Sequence, residues 1–581
     1  MPLSRRTVWL SVALGVVLLL PSVFVGFFCD DYLQLLALRD DAGARELSLE
    51  ASRFDLYRFA IGDVERARRF ILRGPWPWWM DPALRAAFWR PLASAALAAD
   101  HAVFGMHAWG YHVHAVLWYG ALIACVGALY RRVLLHAAAP LALVVFAIDE
   151  GHVQATAWLA ARYSIMSATF GVLALLAHVR AREGGNNHAV WLALLALVTS
   201  LAFGESAVGT LGYVAAFELL GATDSVRARV RALAPYAALF VVYLALHRTL
   251  GYGVQHIGHY LDPFAETGAF LAAAPSRLAM LIGALVASLP IDLWLVVPEA
   301  RVPLVAAGAV ATVAFGLLLR ATLRSLDPET RRSARWLALG AVLSLVPSLG
   351  AAQGSRLLVL PSVGASVAIA LVVHGAYVSW RRPTDGKASP RASGVFKLGG
   401  AWLGLANVVL AVPMIFMQLS VLRWRAAVSL EPVRNLAVEN GDRIAILRGE
   451  PIVSVYGAAP LYVERGVLPA AWNVVALTEH PMKLTRLSER ELDVEILEGT
   501  LMEGSFEELY RRAPIPLGYE ATTVSFTVRV TELAGGRPKR LLLKLANGIT
   551  LLVHEGRRFV PLALPAIGET KQLPRGPGML D

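Results

Sequence analysis

Cysteine and charge are both scarce in this chain. Its two cysteines in 581 residues, Cys29 at the end of the first apolar segment and Cys125 inside another, exclude a disulfide-stapled framework. Charged residues make up only 17% of the chain against 56% hydrophobic, with a mean hydropathy of +0.55, which excludes an ordinary soluble globular protein. No HExxH, P-loop or Rossmann glycine pattern occurs. No small-x-small cleavage site precedes Cys29, and Phe27 and Phe28 stand where a lipoprotein signal needs small residues. The segment after Arg5 and Arg6 therefore reads as an uncleaved anchor.

What is present is a succession of apolar runs from residue 8 to about residue 420, each near the ~20 residues that a helix needs to span the hydrocarbon of a bilayer. They predict a polytopic α-helical membrane protein of about 11 to 12 transmembrane helices. After the first, the expected spans are about 112–130, 138–150, 163–180, 189–203, 206–221, 232–250, 302–320, 334–350, 357–379 and 400–420. Residues 270–297, broken by Pro275 and Pro290, read as a surface or re-entrant element. From about residue 430 the pattern changes to short alternating runs, "DRIAILRG", "ELDVEIL" and "TTVSFTVRV", which predict a soluble β-rich domain. In "KRLLLKLANGITLLVHEG", Asn547 and Gly548 suit a two-residue hairpin turn. The expected domains are thus 1–428, with 29–90 as the first outer loop, and 429–581.

The net charge of +11 does not indicate nucleic acid, because the basic residues lie in short clusters between apolar runs. Arg131 and Arg132, Arg227, Arg229 and Arg231, Arg320, Arg324, Arg331 and Arg332, and Arg381, Arg382, Lys387 and Arg391 mark the cytoplasmic side by the positive-inside rule. That sidedness puts the loop after the first helix outside, and the tail too, although Arg423 and Arg425 pull the other way. The expected location is a bacterial-type inner membrane, with the active site and C-terminal domain facing the periplasm.

Three sets of polar residues on the outer face are candidates for chemistry. Asp30 and Asp31 follow the first helix between Phe28 and Tyr32. They are either a solvated helix end or carboxylates whose partial desolvation suits a general base, and such a pair would also suit a hard divalent cation, Mg or Mn, without specifying one. Asp149, Glu150 and His152 fall at the mouth of two later helices, as a satisfied interfacial cluster or as part of a site. Arg90, Arg162, Arg248 and Arg356 lie on the side disfavoured for cations. Snorkelling explains any one of them; four together invite a phosphate ligand, whose oxygens match the guanidinium fork. His259, with His256, His107, His112 and His114, adds polar material, but His112 and His114 are two residues apart and cannot share a helix face, so zinc is not indicated.

The ordered blocks "DDYLQL", "FWRPLASAALAADHAVFGMHAWGYHVHAVLWYGAL", "HVQATAWLAARYSIMSATFGVLALL", "FGESAV" and "SRLLVLPSVG" resemble the membrane-embedded GT-C glycosyltransferases, in particular the protein O-mannosyltransferase branch that includes transmembrane and tetratricopeptide-containing proteins. The resemblance spans roughly residues 20 to 380. It implies transfer of a sugar from a polyprenyl-phosphate carrier to a protein, lipid or polysaccharide acceptor on the non-cytoplasmic face, with Asp30 or Asp31 at the catalytic centre. The apolar runs and the scattered basic clusters make membrane lipids, and not nucleic acid, the expected partners beside the donor and acceptor. The chain departs from the family's pattern in having Gln154 where a glutamate is usual, Gly204 where a lysine is usual, and a β-rich tail in place of tetratricopeptide repeats. A lipid-linked saccharide flippase and a non-catalytic scaffold of envelope assembly are the alternatives.

Overall fold

A backbone in hydrocarbon must satisfy its own hydrogen bonds, so apolar runs of membrane length fold as helices. The computed structural model describes residues 3–39, 41–48, 52–184, 187–381 and 394–579. Among the described residues, nine helices are long and apolar enough to cross a membrane. They are Arg5–Phe24, Ala108–Val133, Leu159–Gly184, Val226–Thr249, Thr267–Ala287, Pro298–Arg324, Pro328–Gly350, Ser362–Arg381 and Gly394–Arg434. The chain is a multi-pass helical membrane protein with a β-rich part. Arg382, Lys387 and Arg391 lie outside the described residues.

The chain divides into two compact units. The first comprises Met1–Gly26, Trp89–Leu250 and Pro263–Arg423, and the second Phe27–Phe88, Gly251–Asp262 and Trp424–Asp581. In the first unit, buried tyrosines tie helices together by donating to carbonyls at helix ends: Tyr119 to Ala147 O at 3.1 Å, Tyr213 to Pro361 O at 3.0 Å, and Tyr130 to Val363 O. Their rings join one apolar core with Phe146, Trp336 and Val367.

Two expectations in this unit are corrected. Residues 270–297 hold a full helix, Thr267–Ala287, with Pro275 inside it rather than ending it. Two turns beyond it, the same helix packs closely on a neighbour: an ideal Cβ on Gly283 would lie 2.4 Å from Gly308 Cα of Arg301–Arg324, so the two backbones touch. The expected span at 138–150 is a nine-residue helix, Ala139–Ala147, after which the chain tightens into a 3₁₀ turn at Glu150–His152.

The second unit contains thirteen strands among the described residues. β1 (Arg58–Ile61), β2 (Arg85–Ala87) and β3 (Gly253–Gln255) form one small sheet. β4 (Arg443–Arg448) and β5 (Ala471–Val474) are parallel, joined through helices Pro451–Tyr456 and Ala458–Arg465. β6 (Met482–Arg486), β7 (Glu491–Ile496), β8 (Glu520–Thr522), β9 (Phe526–Ala534) and β10 (Arg537–Leu545) build a second sheet, completed by β13 (Thr570–Leu573), in the order β13-β6-β7-β10-β9-β8. β11 (Ile549–Glu555) and β12 (Arg558–Pro561) belong to the third, ordered β12-β11-β4-β5. β4 and β5 are buried along nearly their whole length because both faces are covered, whereas β7 alternates buried and half-buried residues.

The hairpin expected at Asn547 and Gly548 is not formed. β10 pairs with β9 and β7, while β11 crosses to the other sheet and pairs in parallel with β4. Gly548, at φ +64°, makes a turn between sheets, and the two-glycine hairpin is instead at Gly535 and Gly536, between β9 and β10. The first outer loop, grouped by sequence with the membrane part, belongs to this β-rich unit. Its Trp78 indole donates to Val475 O at 2.9 Å, and the Asn473 amide, on β5, donates to Leu72 O at 3.3 Å. These buried polar contacts give the loop partners that only the tail supplies.

Two outcomes follow. Gly283→Leu should cost about 1–3 kcal/mol or more, because the backbone contact with Gly308 has no room for a side chain, whereas Gly268→Leu, on the same helix with open space around it, should be near neutral; thermal unfolding in detergent compares them. Burial pushes Glu507 up to about 8. Its native state therefore keeps a proton that the unfolded chain releases at about pH 4.3, and stability falls as pH rises between those values. Glu507→Gln should flatten that part of the thermal-midpoint profile between about pH 5 and pH 9.

Candidate functional site

The second unit holds Asp30 and Asp31 at the first turn of helix Asp30–Ala37. Cys29 precedes them with φ +52°, a conformation rare for a residue with a side chain, and this sharp entry turns the helix start abruptly out of Phe28. The two carboxylates diverge. Asp31 is buried and accepts the Phe28 amide at 2.9 Å, closing the helix start, while Asp30 stays partly exposed with an oxygen 3.8 Å from Cys29 Sγ.

Beside Asp30 sit Tyr456 and Tyr510. Burial raises the Cys29 thiol and the Tyr456 phenol well above their ordinary values, and the Asp30 charge adds to both; burial raises Tyr510 as well, with Cys29 adding to it. All three stay protonated at neutral pH and present O–H or S–H donors around one carboxylate. Tyr456 lines two small clefts open to solvent, one with Leu33, Trp76 and Tyr510, the other with Phe28, Cys29 and Tyr32. Gln34, one helical turn from Asp30, is fully buried with neither amide atom hydrogen-bonded. His259 is also in this unit, buried, its Nε2 donating to Ser505 O at 2.7 Å. His256 is exposed near Asp81.

The first unit holds the remaining candidates. Asp149 accepts the Gly151 amide at 2.9 Å, and Glu150, nearly buried, hydrogen-bonds Ser288. His152 is fully buried with both ring nitrogens engaged, at 3.0 Å from the Tyr119 hydroxyl and 2.8 Å from Ser362 Oγ. The 3₁₀ turn at Ser355–Leu357 brings Arg356 to the helix carrying Gln154: the Arg356 amide donates to Gln154 Oε1 at 3.3 Å, and the Ser355 amide to Asp292 Oδ1 at 2.8 Å. Gln154 thus fixes a loop, a task its carbonyl oxygen performs as well as a carboxylate would. The Arg356 guanidinium donates to Ala352 O at 2.9 Å and is partly exposed.

The other three arginines differ in setting. Arg90 is buried, forms a two-pronged ion pair with Glu205, and stacks 3.5 Å over the Tyr163 ring. Arg162 is buried against Asp100 and donates to Tyr111 O at 3.4 Å. The chain of contacts continues from Asp100 to His114 Nδ1 at 2.7 Å, while His114 Nε2 accepts from the Trp118 indole at 2.8 Å. Arg248 is exposed over the Phe264 ring at 5.4 Å. Of the two remaining histidines, His112 is buried on Gly26 O and His107 is exposed.

Sequence reasoning passed over Asp100, Asp292, Gln34, Tyr456 and Tyr510. Asp100 carried a signal, a lone acid in the apolar run "LASAALAADHAVF", whereas the tyrosines sit more than 400 residues from Asp30 and no local pattern ties them to it. Among the described residues no three His, Cys, Asp or Glu side chains gather as a metal site.

Neither a protein-family profile nor a curated protein matches the chain. Among solved structures it is similar to the archaeal oligosaccharyltransferase AglB from Archaeoglobus fulgidus, solved with an inhibitory peptide and a dolichol-phosphate. The likeness has a TM-score of 0.39 and 13% identity, and covers 81% of this chain and 65% of that one, so the chain spans a little under two thirds of that protein's length.

Arg162→Met should destabilise the protein by about 3–5 kcal/mol, by leaving Asp100 buried without its counter-charge. Adding Asp100→Leu should restore most of the loss in thermal unfolding. A ligand role for Arg162 predicts the opposite division, with stability kept and binding lost.

Proposed function

We propose that the protein is a membrane glycosyltransferase of the GT-C type, moving a sugar from a polyprenyl-phosphate carrier to an acceptor hydroxyl on the non-cytoplasmic face, with Asp30 as general base. The observation that carries this reading is the division of labour at the helix start: Asp31 is consumed by the Phe28 amide, and Asp30 is left partly exposed near Cys29, Tyr456 and Tyr510, the two tyrosines lining one cleft. The ordered motif blocks between residues 20 and 380 support it independently.

In this reaction the acceptor oxygen attacks the anomeric carbon and gives its proton to Asp30. The bond from that carbon to the carrier phosphate breaks, and the polyprenyl phosphate leaves with the electron pair. A single displacement inverts the configuration at the sugar. Protonated Tyr456 and Tyr510 can hydrogen-bond hydroxyl oxygens of a saccharide or acceptor while leaving the base ionised. In the first unit, taken by itself, Gln154 and Asp292 hold the loop that carries Arg356, whose guanidinium is partly exposed. Arg90 and Arg162 are assigned to structural ion pairs. A divalent ion, Mg or Mn, bound at Asp30 would draw its other ligands from substrate oxygens and water. Residues 429–581 are read as the part that selects the acceptor.

Asp30→Asn should lower transfer from a labelled polyprenyl-phosphate sugar by at least about 100-fold, the usual scale of a lost general base, with expression and thermal midpoint unchanged. Asp31→Asn should act mainly on stability. Full transfer by Asp30→Asn would remove the assignment, and passage of intact donor across a vesicle bilayer without cleavage would favour a transporter.

A further inference from the structure

Away from these residues, the first unit has an open cavity where two successive candidate spans meet, between the end of Arg301–Arg324 and the start of Pro328–Leu345. It encloses about 600 Å³, part of it open to solvent, and is lined by Arg320, Arg324, Arg331 and Arg335 together with Gly316, Leu319 and Leu323. None of the four arginines is ion-paired with a described residue. Of the two acids in the connecting turn, Asp327 is occupied in capping the Thr330 amide at 2.9 Å, and Glu329 is exposed.

The guanidiniums are not simply splayed into water. Arg331 is clamped across the turn, donating to Leu326 O at 2.7 Å and Arg324 O at 3.2 Å, and its Nε is buried with no hydrogen-bond partner. Four like charges around one cavity repel one another, and an anion between them relieves that repulsion. The rest of the lining is apolar, and it runs onto a face of Arg301–Arg324 on which Val310, Val313 and Leu317 are exposed. A ligand that fits must therefore carry negative charge at one end and acyl chain at the other, and must lie at a membrane surface.

We propose that this cavity binds the phosphate headgroup of an anionic phospholipid, with an acyl chain along the exposed face of Arg301–Arg324. Positive-inside topology accounts for arginines at this end of the helices. It does not account for the convergence of four of them on one cavity, with Arg331 held there by two backbone carbonyls. Basic pockets between membrane helices bind such headgroups through charge and hydrogen bonds together.

The test uses the full-length protein, delipidated in detergent and titrated with phosphatidylglycerol, phosphatidylcholine or inorganic phosphate, with retained lipid counted by native mass spectrometry. Phosphatidylglycerol should raise the thermal midpoint and remain bound, and phosphatidylcholine should do neither. Arg320→Gln with Arg335→Gln should weaken phosphatidylglycerol about 25-fold, from about fivefold per arginine. Gly316→Trp, which keeps all four charges and fills space that is empty around Gly316, should weaken it as well. Arg227→Gln with Arg231→Gln, an exposed basic pair elsewhere, should leave it unchanged. Equal weakening by that control pair, or undiminished binding in Gly316→Trp, would overturn the site. Inorganic phosphate acting at the same midpoint concentration as the lipid would overturn its assignment to a lipid.

Discussion

Charge shut away from water has to be neutralised by the protein, and the membrane unit is arranged around that requirement. Arg90 meets Glu205, Arg162 meets Asp100, and Arg182 meets Glu218, which also holds His178 at 2.9 Å. Removing one member of such a pair costs far more than the pair itself contributes, so each pair pins its helices in one relative placement. The tyrosine hydroxyls on helix-end carbonyls act alike at lower stakes, and the apolar core fills the space between.

Much of the architecture was legible because the signals are physical and local. Long apolar runs gave helices, period-two runs gave β7 and β9, and a short apolar run gave β4. The failures were non-local. Pro275 looks like a break, yet the helix continues through it to a glycine contact with a distant helix that no local pattern announces. Asn547-Gly548 has hairpin chemistry, yet β11 finds its partner in β4, about a hundred residues upstream, and turn propensity does not weigh that pairing.

The polar residues divide along the same line. Asp30 and Asp31 were visible as a pair, and their different fates were not, because the difference depends on the Phe28 amide and on tyrosines from the tail. The four arginines singled out by sequence share one signature and turn out to have three kinds of surroundings: ion-paired and buried at 90 and 162, exposed over a ring at 248, and loop-held at 356. Gln154, conspicuous as a departure from a family pattern, has a plain structural task.

The β-rich unit is assembled from segments far apart along the chain. Trp78 waits for Val475, Leu72 for Asn473 and Val524, and β4 for β11. A ribosome adding about 5–20 residues per second leaves the 27–88 segment without its partners for tens of seconds while the membrane helices are made. During that interval the segment has only the small apolar cluster around Ala60, Ile71, Met80 and Leu84, and the Trp78 indole and Leu72 carbonyl lack their partners. Insertion of the membrane helices therefore precedes closure of this unit, and a chain truncated after residue 423 would leave the early segment open to whatever chaperone or protease meets it first.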